Sequence, residues 1–221
     1  MVIDWGWIAG HLDDIVAALW QHIVLVGIPL ATGFAISLGL GIWAVRRPRV
    51  YGPITAVTGV LYTIPSLAAF ALLVPVFGFS MLVAFIPLTT YTLLILFRNI
   101  VAGFQSVPSE VLEAADAMGY RQRDRLLRVE IPLAVPLMMA GLRLAAVTLI
   151  GLATVVSILG SGYGGLGQLI TDGLQTFFPT KYVLGGVLSV ALAVVVDLLF
   201  VRTERRLTPW AGARATGAVP A

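Results

Sequence analysis

Five stretches of the chain, residues 20–45, 54–77, 80–97, 135–159 and 182–201, are apolar nearly throughout. A helix needs about 20 such residues to cross the roughly 30 Å hydrocarbon core of a bilayer. In that medium every backbone amide and carbonyl must be satisfied within the protein, which restricts spanning structures to helices and closed barrels. The predicted fold class is therefore an all-α membrane protein with five transmembrane helices, preceded by residues 1–19 and followed by a tail over 202–221. Composition agrees, because 59% of the residues are hydrophobic and 11% charged, against about 25% charged in soluble domains. Few of the 221 residues remain for a large soluble domain.

The scarce charges fix an expected orientation. All 14 basic side chains but Lys181 are arginines. Arg46, Arg47 and Arg49 lie between the first two runs, and Arg98, Arg121, Arg123, Arg125, Arg128 and Arg143 bracket the segment between the third and fourth. Arg202, Arg205, Arg206 and Arg214 follow the fifth. Five crossings bring these groups to one side, which positive-inside bias marks as cytoplasmic. Asp4, Asp13, Asp14, Asp172 and Lys181 fall on the other. The amino terminus is expected outside and the carboxyl terminus inside, with Trp20 and Trp43 at the two interfaces of the first span. No Lys or Arg precedes Arg46, so the amino terminus does not read as a cleaved signal peptide.

Several chemistries are excluded or disfavoured. Cysteine is absent, which removes disulfides, thiolate metal sites and cysteine nucleophiles. His11 and His22 are too far apart for an i, i+4 zinc pair. The segment Gly160-Ser161-Gly162-Tyr163-Gly164-Gly165 matches GxGxxG formally, yet it follows a membrane helix, where the dinucleotide fingerprint follows a strand. It reads as a tight turn before a short amphipathic or re-entrant helix at 165–175. Lys181, the only lysine, is followed by Tyr182, so no phosphate-binding loop exists and the chain cannot itself be an ATPase. A basic balance in so apolar a chain points to membrane flanks and not to nucleic acid. Asp197, the one acid well inside a run, is expected to pair with Arg143.

The segment between the third and fourth runs, roughly 99–134, is the most informative. Over 106–132 it reads SVPSEVLEAADAMGYRQRDRLLRVEIP. Pro108 suits a first helical turn, and Glu110 and Glu113 sit near the positive end of the helix dipole. Leu112, Ala115 and Met118 then form an apolar stripe that Gly119 ends. A second short helix is expected with Arg121, Arg123, Arg125 and Arg128 exposed and Leu126, Leu127 and Val129 buried, broken by Pro132. Composition alone allows a solvated linker; the small surface at Ala114 and Ala115 between acid and base allows close approach of another protein.

Glu113-Ala114-Ala115, three residues, Gly119, nine residues and then Val129-Glu130-Ile131-Pro132 resembles the EAA loop of ATP-binding-cassette (ABC) importer permeases, EAA-x3-G-x9-I-x-L-P. Every interval matches, with Val129 for Ile and Ile131 for Leu. The resemblance implies a MetI-like ABC permease fold whose cytoplasmic coupling loop, between the third and fourth spans, docks on a separate ATPase subunit. Two copies of that ATPase would carry ATP and Mg, with no cofactor on this chain and no catalytic or metal-binding residue. Glu113 and Ala114, with Ala115, would contact the ATPase, Gly119 would make the turn, and Val129, Ile131 and Pro132 would fix the exit into the fourth span. It also implies a second permease chain, identical or related, since five helices enclose no path alone. An extracytoplasmic substrate-binding protein and residence in a bacterial or archaeal cytoplasmic membrane complete the expectation.

Over about 50–201 the chain resembles permeases for glycine betaine, choline or carnitine, on LYTIPSLAAFALLVPVFG, LFRNIVAGFQSVPSEVLEAADAMG and the segment from Val129 to Ile170. Methionine or other amino-acid importers, which share the five-span layout and a similar GGLG segment, are the alternative; Ile64-Pro65-Ser66 and Arg98-Asn99 favour the osmoprotectant group. A secondary transporter would be expected to show an intramembrane ion site, and a scaffold would not require the spaced loop. In the osmoprotectant systems an aromatic cage on the binding protein selects the quaternary ammonium by cation–π attraction, leaving the permease a passage of low charge. Pro65, Ser66, Thr89, Thr90, Tyr91, Thr154 and Ser157 are its candidate lining, although hydroxyls in spans also serve as helix-to-helix hydrogen bonds.

Overall fold

Apolar runs without β-branched alternation become helices, and in the computed structural model no strand occurs among the described residues, 3–210 without the Ser161 side chain. Ten α-helices follow in order: α1 Trp5–Gly10, α2 Leu12–Arg46, α3 Tyr51–Thr63, α4 Ser66–Phe77, α5 Met81–Gln105, α6 Ser109–Ala117, α7 Gln122–Arg125, α8 Ile131–Val156, α9 Leu166–Gln175 and α10 Pro179–Leu207. The tail expected over 202–221, with Arg214, lies outside the described residues from 211 onward.

Four helical stretches are long and apolar enough to cross a membrane: Leu12–Arg46, Met81–Gln105, Gln122–Leu159 and Pro179–Leu207. All overrun the apolar runs that announce them, because polar flanking turns continue the helix beyond the hydrocarbon. The segment 1–19 is accordingly helical for most of its length, α2 beginning at Leu12. Trp20 and Trp43 are both exposed on α2. Their separation of 23 residues corresponds to about 34 Å of helix, close to the thickness of a hydrocarbon core.

The second run, 54–77, is not one straight helix. Pro48–Thr63 and Ser66–Phe77 meet at 90°, so the segment is either a broken span or a re-entrant loop, and the chain has four crossings or five. Pro65 removes an amide and forces Ile64 into extended backbone (φ −65°, ψ 126°), the ordinary effect of proline on its predecessor. Pro29, Pro75, Pro87 and Pro136 lie inside helices that continue past them, as membrane helices tolerate when neighbours satisfy the freed carbonyls.

The bundle is organised around α5, which packs against α2, α3, α4 and α8. Its buried apolar residues enter three clusters, one of them joining Phe97 and Val101 to Ala44 of α2; the other two are larger. In one, Val83, Ala84 and Leu88 join Leu25 of α2, Phe70 of α4 and Leu149 and Ala153 of α8. In the other, Leu96, Ile100 and Phe104 meet Ala134, Met138 and Ala145 of α8. By contrast, α10 packs mainly along α9 and α8, and 6% of its most apolar window is buried.

Close approach of α5 and α8 depends on Gly103, where a Cβ would stand 2.8 Å from the Ala134 carbonyl oxygen. Replacing Gly103 with Leu should force the two helices apart at a cost of about 1–3 kcal/mol. Gly39→Leu, at a position with no neighbour within 4 Å, should cost little. Thermal unfolding of the detergent-solubilised protein, followed by size-exclusion chromatography, measures the difference.

Candidate functional site

The loop between α5 and α8 is a folded element. Pro108 stands at the amino-terminal cap of α6, extended at φ −60° and ψ 140°. At the other end the Gly119 amide donates to the Asp116 carbonyl (2.9 Å) and the Tyr120 amide to the Ala115 carbonyl (3.1 Å). These are the two bonds of a Schellman cap, which requires the left-handed conformation. Gly119 supplies it at φ +80°. Ala115 is buried, whereas Glu113, Ala114 and Met118 are exposed. The stripe predicted through Met118 is thus shorter than expected, and Met118 joins the outward surface.

Arg125 ties this helix to the next. Its Nη1 donates to Asp116 Oδ2 at 2.6 Å and its Nε to Glu130 Oε1 at 2.9 Å. The expectation that all four loop arginines are exposed fails here, because two carboxylates draw this guanidinium inward. Leu127, expected buried, is exposed. Leu126 and Ile131 pack instead toward Ile42 and Val45 of α2 and Phe104 of α5, and Val129 is half-buried.

Pro132 does not break the helix. A wider π turn occupies Leu126–Glu130, with the Ile131 amide donating to the Leu126 carbonyl, and Pro132 falls in the first turn of α8. A first-turn position needs no amide donor, and the extra residue in the π turn absorbs the misfit. Residues 122–159 consequently form one helical stretch.

The candidate lining residues do not form a single site. Pro65 and Ser66 make the α3–α4 break, and the Tyr91 hydroxyl donates to the Ile64 carbonyl exposed there. Tyr62 meets Tyr91 edge-on at 5.9 Å. Thr90 and Tyr91 also line an apolar cavity of about 200 Å³ with Leu61, Ile64, Leu72 and Leu73. Thr89, Thr154 and Ser157 are not among its lining residues. The Thr89 carbonyl accepts from Thr92 Oγ1 at 2.7 Å, and Thr154 Oγ1 donates to the Gly151 carbonyl at 2.7 Å. Ser157 Oγ contacts Thr171 Oγ1 of α9 at 2.9 Å. Of these, only the Ser157–Thr171 contact joins one helix to another; the Thr92 and Thr154 hydroxyls bond back within their own helices.

The opposite end of the bundle holds a basin of about 330 Å³ whose walls include Trp7, Asp14, Gln168, Asp172 and Lys181. Its floor is α9, the short helix expected at 165–175. Trp7 stacks on His11 with centroids 4.4 Å apart, and Lys181 Nζ lies 5.5 Å from the Trp7 ring. The start of α9 is clamped by two α2 residues that carry no signature in the sequence. Gln21 Oε1 accepts from the Gly165 amide (3.0 Å), and His22 Nδ1 accepts from the Leu166 amide (3.3 Å). His22 Nε2 lies 3.2 Å from the Ile150 carbonyl of α8, so the ring is in its Nε2–H tautomer.

Asp197 pairs with Arg143 as expected, with Nε and Nη2 donating to its two oxygens at 2.8 and 3.2 Å. Among the described residues no group of three or more His, Cys, Asp or Glu is placed to hold a metal ion.

A family model described as binding-protein-dependent transport system inner membrane component matches residues 19–209. The chain is 37% identical over 201 residues to the carnitine transport permease protein OpuCB of Listeria monocytogenes, covering 90% of each chain. It is 35% identical over 191 residues to the choline transport system permease protein OpuBB of Bacillus subtilis, covering 86% of this chain and 87% of the relative. It is also 35% identical over 208 residues to the osmoprotectant import permease protein OsmW of Salmonella typhimurium, covering 91% and 94%. Among solved structures, the inward-facing MetNI methionine ABC transporter superposes with a TM-score of 0.79 at 22% identity, covering 90% of this chain and 98% of that one. An amino acid ABC transporter gives 0.74 at 18% identity, covering 93% and 100%. These likenesses establish the fold.

Arg125→Ala should leave Asp116 exposed to water but Glu130, only 13% exposed, without its cation, at a cost of about 1–3 kcal/mol. The bundle should still assemble, while limited proteolysis of membrane vesicles should cleave the 117–122 turn several-fold faster than in the native chain.

Proposed function

The chain belongs to the family of binding-protein-dependent transport system inner membrane components, and from that membership we propose that it is the permease subunit of an ABC importer for a quaternary-ammonium osmoprotectant, glycine betaine, choline or carnitine. The observation that carries the reading is the 37% identity to a carnitine permease across 90% of both chains. The methionine and amino-acid transporters are similar in fold at 22% and 18% identity, which gives their cargo no claim on this chain.

In this reading the bent α3–α4 pair counts as one crossing, so that five spans put the amino terminus outside and the arginine-rich loops inside. Two permease chains, identical or related, enclose the path, and an ATPase subunit docks beneath each, carrying ATP and Mg. The α6 surface of Glu113, Ala114 and Met118 meets the ATPase, and Ala115 seats α6 on its own chain. Gly119 sets the angle between α6 and α7, Arg125 locks it, and Leu126, Val129, Ile131 and Pro132 root the loop in the bundle. Reversing a two-state population from 1:99 to 99:1 takes about 5.5 kcal/mol of differential interaction; an ordered, ion-paired loop transmits such a bias without losing it to local disorder. On the outer face, the basin over α9 receives the substrate-binding protein, and Pro65, Ser66, Thr90 and Tyr91 at the α3–α4 break border the passage.

The test is reconstitution of the chain with its ATPase and binding protein in liposomes, with ATP hydrolysis measured against glycine betaine, choline, carnitine and methionine. Stimulation by one or more of the quaternary ammonium compounds is expected. Stimulation by methionine alone would transfer the chain to the amino-acid importers.

Gly119 provides a sharper test of the loop. A Cβ at this position would meet nothing within 4 Å, while its φ is left-handed, so a substitution there strains the backbone without a clash. Gly119→Val should preserve membrane insertion yet reduce coupled uptake at least tenfold, and Gly119→Asn, which tolerates φ > 0, should retain an intermediate rate. Equal uptake by all three proteins would remove Gly119 from coupling. Bifunctional cross-linking from Gln168→Cys to the binding protein in the ATP-trapped complex tests the basin; its absence there would show that docking occurs elsewhere.

A further inference from the structure

Charged groups on membrane-spanning helices face a bundle interior or water and avoid lipid, and the Arg143–Asp197 pair satisfies neither condition inside this single chain. Arg143 lies near the middle of α8, and Asp197 stands ten residues before the end of α10. Glu204, two turns further along α10, is 3.9 Å from Arg143 Nη1. The two side chains remain 35% and 33% exposed. Their free side opens on a cleft of about 310 Å³ lined by Ala140, Arg143, Leu144, Val147 and Asp197. Leu144 and Val147 are 56% and 41% exposed, so none of the described residues covers the pair.

We propose that this face of α8 and α10 is a wall of the water-filled passage at the seam with the second permease chain, with Arg143–Asp197 as its polar lining for a cationic or zwitterionic cargo. The assignment rests on the importer reading. Lipid is the wrong occupant because the guanidinium and carboxylate keep a third of their surface outside the pair. Water fits, because the cleft has room for several molecules and Arg143 retains donors that Asp197 does not engage. The pairing also suits the cargo: a lone guanidinium would repel a quaternary ammonium, whereas Arg143 closed on Asp197, with Glu204 3.9 Å away, presents no net positive charge.

The absence of cysteine makes the face directly testable in the complete complex with its ATPase. Leu144→Cys and Val147→Cys are compared with Ile36→Cys, an exposed position on α2 two turns from Trp43 and on its face. Inverted vesicles are treated with a charged, membrane-impermeant methanethiosulfonate and, separately, with a lipid-soluble maleimide. The charged reagent is expected to modify 144 and 147 at least tenfold faster than 36. Modification of all three by the maleimide only would overturn the proposal in favour of a lipid-facing surface. Exclusion of the charged reagent together with a direct disulfide between two copies at 147 would overturn it in favour of a dry interface. Co-purification of the ATPase with each variant is scored separately; its loss from the unaltered chain would reject the importer reading, whereas its retention with a negative thiol result would reject only the assignment of this face.

In the same vesicles, Asp197→Asn, which leaves the guanidinium only its 3.9 Å contact with Glu204, should slow choline uptake several-fold more than Arg143→Gln with Asp197→Asn together. Equal slowing would show that the pair does no more than hold α8 to α10.

Discussion

A backbone amide or carbonyl that leaves its helix within an apolar bundle must find another partner, since an unmet buried polar group costs several kcal/mol in hydrocarbon. This constraint determines where the chain can depart from straight helices. At the α3–α4 break the Ile64 carbonyl is taken by Tyr91. At the entrance to α9 the Gly165 and Leu166 amides are taken by Gln21 and His22. His22, fully buried, does double duty: its Nδ1 accepts from α9 while its other nitrogen contacts the Ile150 carbonyl. One neutral ring thereby fastens α2, α8 and α9 together, and the basin of Trp7, Asp14 and Lys181 rests on that junction.

The same constraint separates what was legible in the sequence from what was not. An apolar run identifies itself residue by residue, which is why four spanning helices coincide with predicted runs and differ only in length. The bend at 64–65 has no comparable signature. Pro65 is one of five prolines within the runs, and only the tertiary partner, Tyr91, distinguishes the break from the uninterrupted passages at Pro29 or Pro87. Gln21 and His22 were opaque for a related reason: their partners lie 144 residues away. The pair of Asp197 and Arg143, 54 residues apart, was legible despite its separation, because an acid inside an apolar run has few possible partners and Arg143 is the only base inside the neighbouring one.

Within the loop the outcome divides along similar lines. Gly119 was readable because the left-handed cap it makes is a local property of the backbone. The partial burial of Arg125 and the exposure of Leu127 were not, because the first depends on the carboxylates of Asp116 and Glu130 and the second on a π turn over Leu126–Glu130. Reading the segment with a regular 3.6-residue period, and ending it at Pro132, placed Leu127 on the wrong face. The irregular turn is also what lets Leu126 and Ile131 reach α2 and α5 together while Arg125 reaches Asp116 and Glu130.

The continuity of helix through Pro132 changes what the loop can do mechanically. With a break there, motion of α6 would be absorbed at a hinge beside the bundle. Instead the stretch Gln122–Leu159 runs for 38 residues, about 57 Å at helical rise, from the Arg125 clamp to the turn that leads into α9. A tilt imposed at its α7 end is therefore delivered to three places at once: to the seam with α5 at Gly103, to the Arg143–Asp197 pair that ties it to α10, and to the Ile150 and Ser157 contacts beneath the basin. Closing one end of a passage while opening the other requires opposed displacements at the two ends of a lever. In the proposed importer reading, a long helix held close to α5 at both Gly103 and Gly141 would carry such displacements to both ends from a single input.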